Sequence, residues 1–446
     1  MEWRKSIKKK YGKRIGSIKD IFAGGGLNRL FIAALLFVEI LYWVMEALLH
    51  GKWMDSYFVN DYHNTGMDYF NMLACLNTDN PYSADANYPP MCFLFLKIFY
   101  CFLPESLTGG DGFYYRELMQ AQILYLMYVT ATVLLVWELV KHLYRGSKWD
   151  KTLLAAGILF SGPFLFTLER GNLILASFAG LFVFLVFYDA PEKWKRYCAY
   201  LALAFAASLK IYPAVFGIFI LHKKRYREAV WAAVAGAVVF FVPFFAFDGV
   251  ASMGYLIHGI QASTDYAGNL GMAYNFSYSN LVKILGALCK ITVQEPVAGR
   301  LAVPVAVCGA VYVLGKEEWK KLYALALFCV WLPSFSYTYT LLLFLFPVLF
   351  CLKEGECRFA FFPYLYRMLF LFLMVPLCLP GMGYLDEGIK FPLTMPTLVV
   401  NLAICMITAL ILTEGIMEWM RGKQGQFMEK RRGRFGMRFG ERGRGR

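Results

Sequence analysis

Apolar residues fall in long blocks along this chain, without the strict alternation of a half-buried strand. Six blocks, at 28–49, 118–143, 229–247, 299–315, 360–379 and 395–415, are each close to membrane-crossing length. About 20 apolar residues span a ~30 Å hydrocarbon core as a helix. Six shorter blocks, at 152–168, 172–188, 197–209, 212–221, 322–333 and 339–352, are interrupted by polar or proline residues. Such interruptions predict broken or re-entrant helices. Backbone that leaves the helix at membrane depth must be buried in protein or line a wet cavity.

The breaks divide by charge. Those at 144–151, 192–196, 222–227, 316–321 and 353–358 are rich in Lys and Arg. Placing these five on the cytoplasmic side predicts about 12–13 crossings with both termini cytoplasmic. The opposite breaks are then 50–90, 169–172, 210–213, 248–298, 333–339 and 380–394. The first of these reads as an amphipathic outer loop lying at the membrane surface. The apolar run 88–103, which contains Lys97, fits either a re-entrant pair or a short full span.

Composition agrees with a membrane protein. Of 446 residues, 59% are hydrophobic and 17% charged, outside the range of ordinary soluble domains. The net charge of +14 is concentrated in residues 1–27 and in the Arg/Gly-rich 418–446. Behind a series of spans this excess is an orientation signal, and it does not point to nucleic acid. The expected organisation is a basic cytoplasmic segment (1–27), one membrane-embedded domain (28–417) and a basic, disordered cytoplasmic tail (418–446). The fold class expected is an all-α, polytopic bundle. The 11 cysteines show no metal-type spacing. Cys75 and Cys92 flank the first outer loop, where they are either free thiols or a pair. No metal or other cofactor is called for.

The outer breaks carry the candidate chemistry. Asp61 and Asp68 are seven residues apart and share a helix face. Asp68 sits among Met67, Tyr69, Phe70 and Leu73, where a carboxylate can serve as a general base. The run Glu169-Arg170-Gly171-Asn172 and the run Ser208-Leu-Lys210-Ile-Tyr212-Pro213 each place a cation at depth, followed within a few residues by a helix restart. A cation beside a helix N-terminus receives phosphate, although either cation alone also serves as an interfacial anchor. Two hydroxyl- and amide-rich clusters, Tyr274–Asn280 and Pro333–Tyr339, suit sugar recognition, and equally caps and aromatic belts.

Taken together, Gly66-x-Asp68-Tyr69-Phe, Asn80-Pro81-Tyr82, Tyr88-Pro89-Pro90, Glu169-Arg-Gly171-Asn172, Leu209-Lys210-Ile-Tyr212-Pro213 and Asn275-x-Ser277 resemble glycosyltransferase family 87. These are integral-membrane GT-C enzymes akin to the polyprenol-phosphate-mannose-dependent mannosyltransferases that build phosphatidylinositol mannosides. Lys-Ile-Tyr-Pro also looks like a segment of the first mannosyltransferase of GPI-anchor assembly. The resemblance runs from about residue 28 to 350.

The resemblance implies a hexosyltransferase of the cell membrane, with mannose the first sugar expected. Its donor would be a polyprenyl-phosphate-linked sugar, its acceptor a glycolipid or glycan on the extracytoplasmic side, and its course inverting. Asp68 matches the catalytic acid best, with Asp61 in reserve. Arg170 and Lys210 would hold the donor phosphate. Tyr69, Tyr82, Tyr88, Glu169, Asn172, Tyr212, Asn275, Ser277, Tyr337 and Tyr339 would line the substrates. The tyrosines of the last cluster stand where related sites often have histidine or tryptophan. Membrane lipids would be the surroundings, and nucleic acid no partner. Two other classes handle lipid-linked glycans: a transporter or flippase, which predicts related halves, and an O-antigen-type polymerase or ligase, which predicts a large late outer loop. Neither feature is visible in the sequence.

Overall fold

A computed structural model describes residues 24–51, 57–58, 65–84, 86–268, 272–291, 297–354, 361–375 and 393–441. Among the described residues every regular element is helical, and the one β-type contact is an isolated pairing of Asn275 with Tyr337. The first long helix, α1 (Gly24–Leu48), is followed by two short ones, α2 (Met67–Ala74) and α3 (Pro90–Tyr100). A brief α4 (Gly112–Glu117) leads into α5 (Met119–Leu143), α6 (Lys148–Leu159), α7 (Gly162–Arg170) and α8 (Ile174–Phe187). Next, α9 (Lys193–Leu209) continues through a 3-10 stretch (Tyr212–Gly217) and the stub α10 (Ile218–His222) to α11 (Tyr226–Phe241). Then come α12 (Val250–Gly268), α13 (Tyr278–Cys289), α14 (Val297–Leu314) and α15 (Glu318–Trp331). A second 3-10 stretch (Thr338–Phe344) flows into α16 (Leu345–Glu354), and α17 (Phe362–Met374) and α18 (Met395–Glu441) complete the chain.

The all-α, multi-pass membrane architecture expected from the sequence is what the structure shows. Four helices are individually long and apolar enough to cross: Gly26–Leu48, Met119–Leu143, Tyr226–Ala246 and Met395–Arg421. The α6–α7 pair, bent by 50° at its break, makes a fifth if it is one span. Most of the remaining apolar blocks become helices of 10–17 residues. Helix α3 is one of these. Its 11 residues rise ~16 Å, about half of a ~30 Å hydrocarbon core, so the run 88–103 does not span alone.

Packing follows the sequence of each helix. Helix α8 is apolar on every side and correspondingly buried all round. Its approach to α9 is close, since a Cβ on Gly180 would lie 3.0 Å from the Ala202 carbonyl. Ser177 Oγ donates across the same interface to the Ala206 carbonyl at 2.8 Å. Small residues with an interhelical hydrogen bond are how membrane helices associate without a hydrophobic driving force. In contrast, α11 exposes Val230, Trp231, Val234, Val238 and Phe241, as a lipid-facing helix does.

The basic break before α15 is stitched rather than solvated. Lys320 Nζ lies 2.7 Å from Glu414 Oε2 and 2.8 Å from Glu317 Oε2, and the Tyr366 hydroxyl donates to Glu414 at 2.9 Å. Charges so deeply buried persist only when paired and hydrogen-bonded. This triad ties α15, α17 and α18 together.

Three segments add to the sequence expectation. The 248–298 loop is largely helical, as α12 and α13. Helix α18 runs on to Glu441, into the basic 418–446 segment. Cys75 and Cys92 are free thiols, and Cys92 Sγ donates to the Leu209 carbonyl at 3.3 Å, a contact between α3 and the end of α9.

Candidate active site

The site is assembled by backbone before side chains enter it. Gly66 caps α2 in the left-handed region (φ 72°), and Gly171 ends α7 in the same region (φ 66°). Their turns touch: Gly66 N donates to the Glu169 carbonyl at 2.6 Å. A Cβ added to Gly171 would lie 3.0 Å from Gly66 O and 3.0 Å from Tyr69 Cβ. Glycine is the residue that accepts both the conformation and the contact. The first turn of α2 is thereby set against the last turn of α7.

Asp68 stands in that first turn. Its Oδ1 is 2.8 Å from Arg170 Nη2, and its Oδ2 accepts from Asn172 Nδ2 at 2.7 Å. The two charged side chains are 17% and 15% exposed, so water reaches them without filling the space around them. Arg170 is the last residue of α7, where the helix dipole favours a cation.

Asn172 is fully buried and fully engaged. Its Oδ1 accepts from Ile174 N at 2.9 Å, capping the start of α8. Its Nδ2 also reaches the Tyr88 hydroxyl at 3.2 Å. This network fixes which end of the amide is which, since the Asp68 carboxylate needs a donor and the helix N–H an acceptor. The helix restart does not itself receive an anion, because its first free N–H is already satisfied by Asn172.

Lys210 enters from the end of α9, where its extended backbone (φ −142°, ψ 121°) terminates the helix. Its Nζ lies 4.4 Å from the centre of the Tyr88 ring and 5.6 Å from that of Tyr339. The Tyr88 ring thus has the Lys210 ammonium over its face and Asn172 on its hydroxyl. One contact chain runs Lys210, Tyr88, Asn172, Asp68, Arg170. The three breaks at 169–172, 210–213 and 333–339, spread along more than 160 residues of chain from first to last, meet here.

The other candidates divide into those at the site and those that support it. The Tyr337 ring lies 5.4 Å from Phe166 of α7 and 5.4 Å from the Tyr339 ring. Glu169 offers its backbone to Gly66, while both carboxyl oxygens are buried without a hydrogen-bond partner. Tyr82 donates to the Tyr88 carbonyl at 3.0 Å and packs on Phe93 and Phe247. Tyr69 points away from Asp68 into the core, stacked on Tyr128. The Tyr212 hydroxyl is also buried without a partner.

Asn275 and Ser277 bind chain rather than cavity. Asn275 Oδ1 accepts from Ser277 N and Ser336 N, each at 3.0 Å. Ser277 Oγ donates to the Ser334 carbonyl at 3.0 Å and accepts from Asn280 N at 3.2 Å. They latch the start of α13 to the 333–339 segment and so hold Tyr337 and Tyr339 in place. Asp61 lies outside the described residues. Among the described residues no three His, Cys, Asp or Glu side chains converge as metal ligands.

Beside Lys210 the surface changes character. An apolar groove of about 800 Å³ runs from Ile211 along α9, the 3-10 stretch and α10 to α11, with Ala204, Ala207, Gly217, Ala233 and Gly236 along it. Sequence reasoning did not see this groove, although the Ala/Gly spacing of α11 (Ala229, Ala232, Ala233, Gly236, Ala237) was there to read. Ile211, where the groove begins, is the residue after Lys210 in the chain.

The model of glycosyltransferase family 87 matches residues 87–344, more than half of the chain. The chain belongs to glycosyltransferase family 87. Searches among curated proteins and solved structures return no match. Membership makes the molecule a multi-pass membrane glycosyltransferase, with a sugar donor and an acceptor as substrates. The matched span of this family 87 glycosyltransferase includes Tyr88, Arg170, Asn172, Lys210 and Tyr339. Asp68 lies upstream of it, and joins these residues through its bonds to Arg170 and Asn172 and through the Gly66–Gly171 contact.

Proposed function

We propose that this glycosyltransferase moves a hexose, with mannose the first candidate, from a polyprenyl-phosphate carrier to a hydroxyl of an extracytoplasmic glycolipid or glycan. The observation that carries the reading is the Asp68 carboxylate held between Arg170 and Asn172, one tyrosine ring from Lys210.

Arg170 and Lys210 supply positive charge for the donor phosphate, Arg170 through its planar fork and Lys210 as a point charge. In the resting enzyme Arg170 is occupied by Asp68. A phosphate that draws the guanidinium toward itself frees one carboxylate oxygen to take a proton, so donor binding arms the base. The acceptor oxygen then attacks the anomeric carbon and gives its proton to Asp68. The bond from that carbon to the phosphate oxygen breaks, and its electron pair leaves with the polyprenyl phosphate. A phosphate is already a good leaving group and needs charge stabilisation more than an acid. One carboxylate therefore suffices, unlike the pair of a hydrolase, and a single displacement inverts the anomeric centre.

The apolar groove that begins at Ile211, next to Lys210 in the chain, supports a lipid-borne donor, since it offers an apolar surface to a hydrocarbon chain. The test is transfer by the purified protein in proteoliposomes, offering hexoses on polyprenyl phosphate in parallel with nucleotide sugars. Transfer from the lipid-linked donors alone is the expected result. Transfer from a nucleotide sugar alone contradicts the reading.

A further inference from the structure

We propose that a second cavity, on the far side of the Gly66 turn, is a carbohydrate subsite that holds the acceptor unit next to the one receiving the hexose. The inference rests on the glycosyltransfer reading above. The cavity measures about 430 Å³ and is lined by Thr65, Gly66, Phe70, Arg116, Glu117, Gln122 and Tyr125. That volume is within the range of small-molecule sites, and two rings with a few convergent polar groups match their usual make-up.

The walls are built rather than incidental. Helix α4, which carries Arg116, is pressed onto α2: a Cβ at Gly112 would collide with Asn71 Oδ1 at 2.0 Å. Asn77 Oδ1 gathers the Gly109 amide at 3.1 Å, the Tyr100 hydroxyl at 3.0 Å and the Tyr115 hydroxyl, pinning the loop before α4. Asp111 caps α4 by accepting from Tyr114 N at 2.8 Å. Gln122 Nε2 donates to the Arg116 carbonyl at 2.6 Å, which joins α4 to α5 across the cavity mouth. The Arg116 side chain is 11% exposed, with Nη2 3.3 Å from Glu117 Oε1.

The chemistry of the lining selects its ligand. The Phe70 and Tyr125 rings offer an apolar surface to the C–H face of a pyranose. Arg116, Gln122, Thr65 and Glu117 supply donors and acceptors for neighbouring hydroxyls. Tyr125 is shared with the reaction centre, since its hydroxyl donates to the Leu168 carbonyl on the turn that bears Arg170. Thr65 and Gly66 lead directly to Asp68, so an acceptor lodged here is anchored one turn from the base. Anchoring a non-reacting part of the substrate is how orientation at the reacting atom is obtained.

The test measures binding by ligand-observed NMR in nanodiscs, with octyl glycosides of one and of two mannose units as probes. The two-unit probe is expected to bind the wild-type protein about tenfold more tightly, the scale of one added charge-assisted hydrogen bond. Arg116→Ala should abolish that advantage. So should Gln122→Ala, a change at an exposed side chain. The advantage should persist in Asp68→Asn, which separates subsite binding from transfer. Equal affinities for the two probes in the wild type, or an advantage surviving both substitutions, overturns the subsite. An advantage lost in both variants of a protein that never transfers a hexose upholds the subsite and removes the transfer reading.

Discussion

Gly66 and Gly171 meet backbone to backbone, with room for 3.0 Å and no more between the Gly66 carbonyl and any Cβ at position 171. The contact sets the distance between Asp68 and Arg170, which arise 102 residues apart. Gly171→Ala therefore strains a left-handed residue by ~1–2 kcal/mol and also pushes the two turns apart. The expected outcome is a thermal midpoint lower by a few degrees and transfer reduced well beyond what that loss of stability explains. A variant with wild-type turnover would show that the turns can separate without consequence.

Asn172 serves two partners, and two substitutions separate them. Asn172→Ala removes the cap on α8, worth ~1 kcal/mol, together with both site hydrogen bonds. Asn172→Asp keeps a cap for Ile174 N but sets a second carboxylate against Asp68. Stability should fall more in the alanine variant, and transfer should fall at least as far in the aspartate variant. Thermal unfolding and initial rates, measured on the same preparations, check the split.

Lys210 holds no carboxylate among the described contacts and rests on the rings of Tyr88 and Tyr339. With the donor phosphate as its partner, Lys210→Met should raise the donor KM by about 10–100-fold, the worth of one charged hydrogen bond. Folding should change little, since the ammonium pairs with no buried acid. A donor KM equal to wild type would return Lys210 to the role of an interfacial anchor.

The groove prediction uses a glycine with space around it. A Cβ at Gly236 meets nothing within 4 Å, so a larger side chain there enters the groove instead of the backbone. Gly236→Leu should raise the KM for a long polyprenyl donor while sparing an analogue with a truncated chain. Equal effects on the two donors would place the hydrocarbon chain elsewhere.

How much of this was legible in the sequence depended on what each residue had to do. The apolar blocks gave the all-α membrane architecture because a bilayer demands long, internally hydrogen-bonded segments. Asp68, Arg170, Asn172 and Lys210 stood out because charges and amides at depth are costly without a purpose. Asn275 and Ser277 stood out for the same reason, yet Asn275 Oδ1 and Ser277 Oγ are engaged by Ser334, Ser336 and Asn280, a distinction only coordinates make. Tyr69 shared Asp68's neighbourhood in sequence, but adjacent helix positions face 100° apart, and its ring belongs to the core. The positive-φ turns at Gly66 and Gly171 were visible as glycines, whereas their mutual contact was not, since it joins segments distant in the chain. The cavity at Arg116 and Gln122 escaped notice because ordinary residues of three separate helices line it, with no motif joining them.

The most direct test of the account is initial-rate transfer by Asp68→Asn in proteoliposomes supplied with a polyprenyl-phosphate hexose. The amide preserves shape and leaves the residue unable to take the acceptor proton. The account predicts a protein that inserts and unfolds like wild type and transfers ~10²–10⁴-fold more slowly. Turnover within a few-fold of wild type would contradict it and remove Asp68 from the chemistry.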